Sequence, residues 1–557
     1  MRYALLSISG LFGCFLLATP RPAQACGGLF CNATQPVVQS GEHIVFAVDA
    51  SAETVRAIIN IQYTGAAPDF AWILPLQSEP SRIAVGPTSL FRTIDRLIGP
   101  QFILQQDPDE GQCRFPPFQS VDAGAPSDSG VGGGVQVLGQ QTVGPYESVV
   151  LSSTDPEATR TWLTANGYNV TEDMIRLVVP YLQKGDVLLA LKLRNGQGVE
   201  DIQPVDLTMA GTLACVPIRL TAIAALDDLE LKITMLSQTG RAIPSNYRHL
   251  ELNFAALDWT NPAAFYSGLV GRAADEAGGN AFVTEYAGSS ALFEGQIALD
   301  TYRRSDLEAA TEIDDYLNQL QTQGLLRREV IAIVADFISD EVFTAVGSSR
   351  AQFAAGQVNI FMFDGQPIDA LGATAAIWTA VVEPELSAQA LFDAYPRVTR
   401  LYTLLSPEEM TIDPELEVRN DLADVSNIHR ARVRRICAED RIDTEVTIVG
   451  SNEVVLYGND GGTQAWQRGL PAAKIIEQLW DGAVVADRSA EIAAAVATRR
   501  SGGPGTADPD RDLLPANQLA ESRGRDNGCG CQAHGGGGFG LWAGVLLLGA
   551  LRRRRGS

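Results

Sequence analysis

The chain has 557 residues, 46% of them hydrophobic, and 66 acidic against 42 basic side chains give it a formal net charge of −24. This acidic balance excludes an extended nucleic-acid footprint, which needs a basic face, so we expect no nucleic-acid partner. No interior run approaches about 20 apolar residues, which excludes a multi-span membrane protein, and the length suffices for roughly two to four domains.

The N-terminus predicts a secretory signal peptide over residues 1–25. A basic start precedes a short apolar run, which ends in the small-residue cleavage pattern Ala23-Gln24-Ala25. Cleavage after Ala25 leaves Cys26 as the first mature residue, so signal peptidase is a predicted partner. A lipoprotein site at Cys26 is the alternative, but Ala23 and Gln24 fit ordinary cleavage better.

The first half of the body mixes strand and helix patterns. Period-two alternation predicts strands at 55–63 and 229–235, and an apolar run at 69–75 predicts a central strand. Helical spacing of apolar residues predicts helices at 89–98, 155–166, 172–183 and 262–276.

The second half continues this mixture. Apolar stripes predict helices at 306–320, 327–338 and 489–499, and two strands at 442–448 and 453–457 predict a hairpin. The expected fold class is therefore α+β, with antiparallel-rich sheets, packed helices and a mixed strand and helix second half.

Two segments rich in Gly, Ser, Asp and Pro interrupt these patterns. Residues 107–145 predict a flexible insertion, and residues 501–528 predict a disordered stalk, because neither segment can bury enough apolar surface to order itself. We therefore expect one α+β domain at 26–300 and a second α+β region at 301–500.

The C-terminus carries a cysteine, a short apolar segment and four arginines. Cys529 and Cys531 precede a glycine-rich apolar stretch that ends at Arg552–Arg555. This order resembles the myxobacteria-type C-terminal sorting signal (MYXO-CTERM), over residues 529–557. The resemblance implies a sorting protease, a single C-terminal apolar helix in the membrane, lipid attachment at Cys529 with Cys531 as the alternative, and an outer-envelope or cell-surface location.

The body between the two ends carries the acidic excess. Six arginines and no acids lie in residues 1–25 and 529–557, so the remainder holds 36 basic and all 66 acidic residues. Such a surface favours solubility and repels anionic membranes and nucleic acids.

Several ordered motifs of the first half resemble a bacterial family. They include Cys26–Cys31, Gly41–Asp49, Asp69–Pro75, Pro244–Tyr247 and Asn280–Tyr286. Over residues 26–290 the chain resembles the secreted family known as domain of unknown function 2330. The resemblance implies no activity, substrate or catalytic residue.

The cysteines predict disulfides rather than a metal site. Cys26 and Cys31 are five positions apart in an exported protein and form a possible disulfide. Among the remaining interior cysteines, one pairing joins Cys113 to Cys215 and leaves Cys437 free, although the connectivity stays open. No paired C-x-x-C spacing occurs, so we predict no metal and no cofactor.

Catalytic motifs are weak. His429 and Cys437 are eight apart and predict at most a loose pair on one helix, and Asp314 and Asp315 predict a solvated helix face more readily than glycosidase carboxylates. The segment Asp424–His429 stands out as a motif without an assigned role. We therefore predict no catalytic residue.

The preferred function is an exported, envelope- or surface-anchored protein with a non-catalytic binding, adhesion or structural role. An extracytoplasmic hydrolase that uses carboxylates is one alternative, and an accessory subunit of an envelope complex is another. A deep pocket with paired carboxylates would favour the hydrolase.

Overall fold

The computed structural model describes residues 38–64, 71–111, 139–166, 170–193, 202–438, 441–451, 453–457, 467 and 469–501. Residue contacts group all of these residues in one unit, Met1–Pro504. The predicted signal peptide, most of the predicted insertion, the stalk and the C-terminal apolar helix lie outside the described residues.

The strands carry most of the architecture. They are β1 (Val38–Asp49), β2 (Thr54–Thr64), β3 (Ala71–Leu76), β4 (Pro80–Val85), β5 (Gln101–Gln106), β6 (Glu110–Gly111), β7 (Gly139–Val143), β8 (Tyr146–Leu151), β9 (Val187–Leu193), β10 (Val205–Ala210), β11 (Ala214–Cys215), β12 (Ala225–Ser237), β13 (Arg241–Pro244), β14 (Arg248–Leu252), β15 (Ala281–Ser289), β16 (Arg397–Leu405), β17 (Glu415–Arg419), β18 (Ile428–Ala438), β19 (Arg441–Ile448), β20 (Val454–Tyr457), β21 (Ala473–Gln478) and β22 (Ala483–Asp487).

The helices pack on the sheets or form a group of their own. They are α1 (Thr88–Ile98), α2 (Pro156–Ala165), α3 (Glu172–Lys184), α4 (Ile218–Thr221), α5 (Pro262–Glu276), α6 (Arg304–Glu308), α7 (Ile313–Thr322), α8 (Arg328–Ala335), α9 (Asp340–Val346), α10 (Arg350–Ala354), α11 (Ala370–Ile377), α12 (Glu383–Ala394) and α13 (Ser489–Ser501). A π-helical segment, Trp378–Val382, joins α11 to α12.

A ten-stranded sheet organises the described part of the chain. Its strand order is β22-β21-β14-β15-β16-β12-β1-β2-β10-β4. Only the pairs β1–β12 and β14–β15 are parallel in this sheet. Strands from both predicted regions, 26–300 and 301–500, share it.

Three smaller sheets surround the large one. Their orders are β3-β9-β8-β7, β11-β17-β13 and β20-β19-β18-β5, and β6 also pairs with β18. β5 and β6 run parallel to β18, whereas β18, β19 and β20 are antiparallel. The α+β fold class with mostly antiparallel sheets is therefore confirmed.

Both faces of the large sheet are buried at its centre, as β1 illustrates. Ile44 and Phe46 face an apolar core shared with the four-stranded sheet, and Val45 and Ala47 face a core formed with α1 and α12. Alternate residues of a strand point to opposite faces, so the continuous apolar run at 44–47 places this part of β1 between two layers.

A helical segment lies between β15 and β16, which are neighbours in the sheet. It contains α6 to α12 and has its own apolar core, which includes Leu307, Tyr316 and Phe353. The buried Glu385 of α12 accepts hydrogen bonds from Ser89 and Tyr302 and pairs with Arg327 at 2.6 Å. Glu385 therefore links this helical segment to α1 of the sheet domain.

Most predicted elements occur within a few residues of their expected positions. The predicted strand at 55–63 corresponds to β2, the helix at 172–183 to α3, and the hairpin to β19 and β20. The helix predicted at 306–320 is divided into α6 and α7.

Candidate functional site

A cavity of about 410 Å³ lies where β14 and β21 of the large sheet meet the β18–β20 sheet. Its apolar wall consists of Leu252, Phe254, Trp259, Ile428, Ile448 and Val449. Its polar lining consists of Glu251, His429, Arg430, Ser451, Glu453 and Lys474. We call this site the aromatic cavity. Its volume lies within the range of small-molecule sites.

His429 is part of a group of rings beside the cavity. Its imidazole lies 5.3 Å from the ring centroid of Phe102 and 4.5 Å from that of Phe254. Trp259 contacts both phenylalanines and donates from its indole Nε1 to the backbone oxygen of Phe254 at 2.9 Å. These contacts hold Phe254 and His429 in fixed positions at the cavity wall.

The imidazole of His429 is neutral at physiological pH. Burial lowers the pKa of His429 to about 4, because removal from water disfavours the charged form. Its Nε2 is inaccessible to solvent, and no hydrogen-bond partner for it occurs among the described residues. A buried polar atom without a hydrogen-bond partner lowers the stability of the fold. The position of the His429 Nε2 atom next to a cavity is therefore notable.

The rim of the cavity carries charges of both signs. Lys474 Nζ forms an ion pair with Glu251 at 2.8 Å, and the Ser451 hydroxyl donates to Glu453 at 3.0 Å. In the described part of the chain, neither Arg430 nor Glu453 has an ion-pair partner within 4 Å. The four charges of the rim cancel.

The motif Asp424–His429 builds one side of this site. Asp424 pairs with Arg397 of β16, and Val425 forms a bridge with Ala287 of β15. Asn427 donates to the backbone oxygens of Leu97 and Gly99, while its own carbonyl accepts from Gln101. The motif therefore fixes the start of β18 against β5 and places His429 beside Phe102.

A second, smaller cavity lies between the large sheet and the four-stranded sheet, with room for about 50 Å³. Asp186, Cys215 and Asp413 line it, and Tyr181 donates to Asp413 at 2.7 Å. Burial raises the pKa values of Asp186 and Asp413, and it raises the pKa of the Cys215 thiol to about 12. A thiol with this pKa is a weak nucleophile at neutral pH.

A buried ion cluster lies on the face of the large sheet that points away from this smaller cavity. Arg400 bonds to Glu285 and pairs with Asp95 at 2.6 Å, and Lys232 pairs with Glu230 at 2.8 Å. Burial raises the pKa of Glu285. Because each of these groups contacts a group of opposite charge, we interpret the cluster as a structural link between β12, β15, β16 and α1.

The predicted processing residues lie outside the described residues. These are Ala25 and Cys26 at the cleavage junction, Cys31 of the possible disulfide, and Cys529 and Cys531 of the sorting signal. Their predicted roles remain predictions.

The pairing of Cys113 with Cys215 is wrong. Cys215 carries a free thiol, whereas Cys437 is disulfide-bonded. β18 pairs Cys437 with Gly111 of β6, while Cys215 lies on β11 in another sheet.

The loose catalytic pair of His429 and Cys437 is also wrong. The two residues lie eight positions apart on the strand β18, not on a helix, which separates them by about 26 Å at roughly 3.3 Å per residue. Asp314 and Asp315 lie in the first turn of α7, where Asp315 is exposed, as expected for a solvated helix face.

Most residues of the aromatic cavity carry no recognisable signal in the sequence. Phe254, Trp259, Arg430, Glu453 and Lys474 come from distant segments with no shared motif. The one available signal was the pair of aromatic residues that follows the alternating segment ending at Leu252.

The described residues contain no side-chain cluster for a metal ion and no helix able to span a membrane. Within the described ranges, no group of three or more His, Cys, Asp and Glu side chains is arranged to hold a metal ion. No helix in the part of the chain that the structure describes has the length and apolar character needed to cross a membrane.

An α+β protein with a cavity between two of its sheets is the class that this geometry defines. The chain belongs to the family described as an uncharacterized protein conserved in bacteria (DUF2330), whose model matches residues 20–324. This match confirms the family resemblance. No curated protein and no solved structure matches the chain.

Proposed function

We propose that this protein is an exported, envelope- or surface-anchored binding protein without catalytic activity, and that the aromatic cavity is its ligand site. The observation that carries the proposal is the lining of the 410 Å³ cavity, where an apolar wall meets a neutral imidazole and a charged rim. A cavity of this volume can hold a small ligand, which its polar groups would orient.

The residues that line the aromatic cavity favour ligand binding over catalysis. His429 lacks a hydrogen-bond partner among the described residues, and its low pKa makes it a poor proton acceptor at neutral pH. The Lys474–Glu251 ion pair occupies one cation and one carboxylate of the rim. These features support a site that holds a ligand without transforming it.

The sequence patterns at the two ends of the chain support the proposed envelope or surface location. The signal pattern before Cys26 favours export, and the order of Cys529, apolar segment and arginine cluster favours sorting and lipid attachment, with Cys531 as the alternative thiol. Signal peptidase, a sorting protease and the membrane are the partners that this location requires. The acidic body then faces the aqueous side.

A carboxylate-dependent hydrolase is the second candidate. Asp186 and Asp413 favour it, because burial raises both pKa values and the charge of Asp413 further raises that of Asp186. The smaller cavity that they line has room only for a few water molecules, which is too little for a saccharide or peptide substrate. This candidate therefore ranks second.

The test measures thermal unfolding of the full-length protein with and without a low-molecular-mass extract of the cell envelope. A ligand that binds only the folded state raises the midpoint. Val449 lines the cavity and is 51% exposed, so Val449→Trp narrows the cavity from its surface. Leu371→Trp is the control, at a 64% exposed position on α11.

We expect the extract to raise the midpoint of the wild type and of Leu371→Trp but not that of Val449→Trp. Equal shifts in all three proteins, or no shift in any, would contradict the cavity as the ligand site. Hydrolysis of a polysaccharide or peptide panel that Asp413→Asn abolishes would favour the second candidate.

A further inference from the structure

The imidazole of His249 connects two charged side chains where strands of two sheets meet. His249 is on β14, and its register partner on β21 is Glu477. His249 Nδ1 lies 2.9 Å from Glu477 Oε1, and His249 Nε2 lies 3.0 Å from Nη2 of Arg241 on β13. The same Nη2 donates to the Thr284 hydroxyl of β15 at 2.6 Å. The imidazole therefore bridges a guanidinium and a carboxylate from different strands.

Arg241 depends on this bridge because it is buried without a carboxylate of its own. Only 7% of its surface is exposed, and it forms no ion pair with a described acidic side chain. Its Nε has no hydrogen-bond partner among the described residues. Burial lowers the pKa of Arg241, and the charge of Glu477 opposes this shift. Glu477, on the far side of the imidazole, thus supplies the compensating negative charge that a buried cation needs.

The two contacts of His249 fix its protonation state. A guanidinium has only donors, so His249 Nε2 accepts from Arg241 and carries no hydrogen. The hydrogen of the neutral ring is then on Nδ1, which donates to Glu477. A second proton on Nε2 would oppose two donors and place two positive groups 3.0 Å apart. The contact between Arg241 and His249 therefore requires the neutral imidazole.

Three neighbouring charges act on this imidazole. Burial has the largest effect and lowers the pKa of His249, the hydrogen bond to Glu477 opposes it, and the charge of Arg241 lowers the pKa further. Glu251 on the same strand acts in the same direction as Glu477, although it pairs with Lys474 at 2.8 Å. The net shift is downward, so His249 binds a proton less readily in the folded protein than in the unfolded chain.

A second contact joins the same parts of the fold without an imidazole. Arg419 on β17 is the register partner of Arg241, and it pairs with Asp421 at 2.7 Å. Its Nη1 donates to the backbone oxygens of Leu479 and Trp480, which follow β21, at 2.9 and 3.2 Å. Both arginines thus link the sheet β11-β17-β13 to strands at one end of the large sheet. Of these two links, that of Arg241 alone needs a neutral histidine.

We propose that the bridge of Arg241, His249 and Glu477 is a pH-sensitive contact that holds the three-stranded sheet to β14 and β21, and that mild acid releases it. When His249 takes up a proton from the solvent, its Nε2 no longer accepts from Arg241. The guanidinium then keeps the hydroxyl of Thr284 but loses its connection to the carboxylate of Glu477.

The release extends to the aromatic cavity. β14 contributes Glu251 and Leu252 to the cavity lining, and β21 contributes Lys474. Freer movement of these two strands in acid therefore loosens one wall of the cavity. The bridge responds to pH whether or not the cavity holds a ligand.

Nitrogen NMR of the histidine rings in the full-length protein tests the geometry. The chain has four histidines, so His249→Gln identifies the His249 signal, and replacing the other three assigns it by elimination if His249→Gln does not fold. We expect the hydrogen on Nδ1 and a pKa below 6.5. Arg241→Gln should raise this pKa, and Arg419→Gln should leave it unchanged. Hydrogen on Nε2 in the wild type, or equal pKa values in the wild type and Arg241→Gln, would overturn the proposal.

Hydrogen exchange measured by mass spectrometry tests the release. Glutamine offers an acceptor and a donor but does not titrate, so His249→Gln keeps the bridge in acid. Relative to this variant, peptides from β13, β14 and β21 of the wild type should exchange faster as the pH falls below 6.5, by up to roughly tenfold at pH 5.5.

The exchange experiment has two controls. Arg419→Gln should retain the pH dependence of the wild type, because it leaves the imidazole in place. Peptides from β9, in another sheet, should exchange equally in the wild type and His249→Gln. The proposal is overturned if the ratio of wild-type to His249→Gln rates stays constant between pH 7.5 and pH 5.5, or if β9 shows the same acid-dependent ratio.

Discussion

His429 stacks on Phe102 with their ring centroids 5.3 Å apart and their planes at 28°. The two residues are far apart in the sequence, and the parallel pairing of β5 with β18 places them directly opposite each other. This contact joins the family-matched part of the protein to the segment that completes the aromatic cavity.

The stability of the protein should fall in mild acid because of His429. Its pKa is about 4 in the folded protein and about 6.5 when unfolded, so the unfolded chain binds more protons between these values. The free energy of unfolding therefore decreases as the pH falls from 6.5 to 4, by up to roughly 3 kcal/mol.

Urea unfolding across this pH range measures the effect of His429. His429→Phe keeps an aromatic ring beside Phe102 and removes the titrating group, so its stability should depend less on pH than that of the wild type. His429→Gln also cannot titrate and serves as a second non-ionising variant. Parallel pH profiles for all three proteins would disprove the assignment.

Glu42 should give the free energy of unfolding the opposite pH dependence. It is buried, its hydrogen bond comes from Gln39, and burial raises its pKa to about 7. The folded protein then holds a proton that the unfolded chain releases above pH 4.5. The free energy of unfolding should therefore decrease as the pH rises from 4.5 to 7, by up to roughly 3 kcal/mol.

Glu42→Gln should remove this pH dependence, and its amide can donate to the Gln39 oxygen, which has no hydrogen-bond partner among the described residues. Chemical unfolding at pH 5 and pH 8 provides the comparison, with the exposed Glu147→Gln as the control. A wild-type stability difference that survives in Glu42→Gln would show that another group is responsible.

Glu385 should be essential to the attachment of the helical segment to α1. Its removal leaves the half-buried guanidinium of Arg327 without the carboxylate that it contacts at 2.6 Å. Loss of one partner of a buried ion pair costs about 3 kcal/mol or more, so Glu385→Ala should lower the free energy of unfolding by this amount.

The exposed Glu383 on the same helix supplies the control for Glu385. Denaturant unfolding of Glu383→Ala should give a change within about 0.5 kcal/mol of the wild type. The account of Glu385 fails if the two alanine variants are equally stable.

The predicted anchor depends on the C-terminal cysteines. Joint replacement of Cys529 and Cys531 by alanine should abolish incorporation of a labelled lipid and reduce accessibility to external protease on intact cells. The single variants identify which thiol is used, and Cys215→Ala serves as the control. Unchanged labelling in the double variant would refute the lipid anchor.

Local sequence patterns predicted the helices and strands well. Each of these elements buries its apolar residues on one face of a strand or along one stripe of a helix. The alternation that predicts a strand over 229–235 occurs in β12, where Leu229, Leu231 and Ile233 are fully buried. The pairing of distant strands was beyond this approach, because no local signal places β16 between β12 and β15.

The aromatic cavity could not be predicted for the same reason. Glu251, His429 and Lys474 converge only after β14, β18 and β21 are assembled. The motif Asp424–His429 was visible in the sequence, but its role depends on Arg397, Ala287 and Leu97, which lie far away along the chain. Cys437 was assigned wrongly because the sequence does not show that it faces β6.

Native mass spectrometry of the full-length protein, purified gently from its own cells, tests the central claim most directly. We predict that the wild type and Leu371→Trp each carry one small non-covalent ligand per chain, and that Val449→Trp carries none. The same ligand on all three proteins, or a ligand-free wild type, would contradict the claim that the aromatic cavity is the binding site.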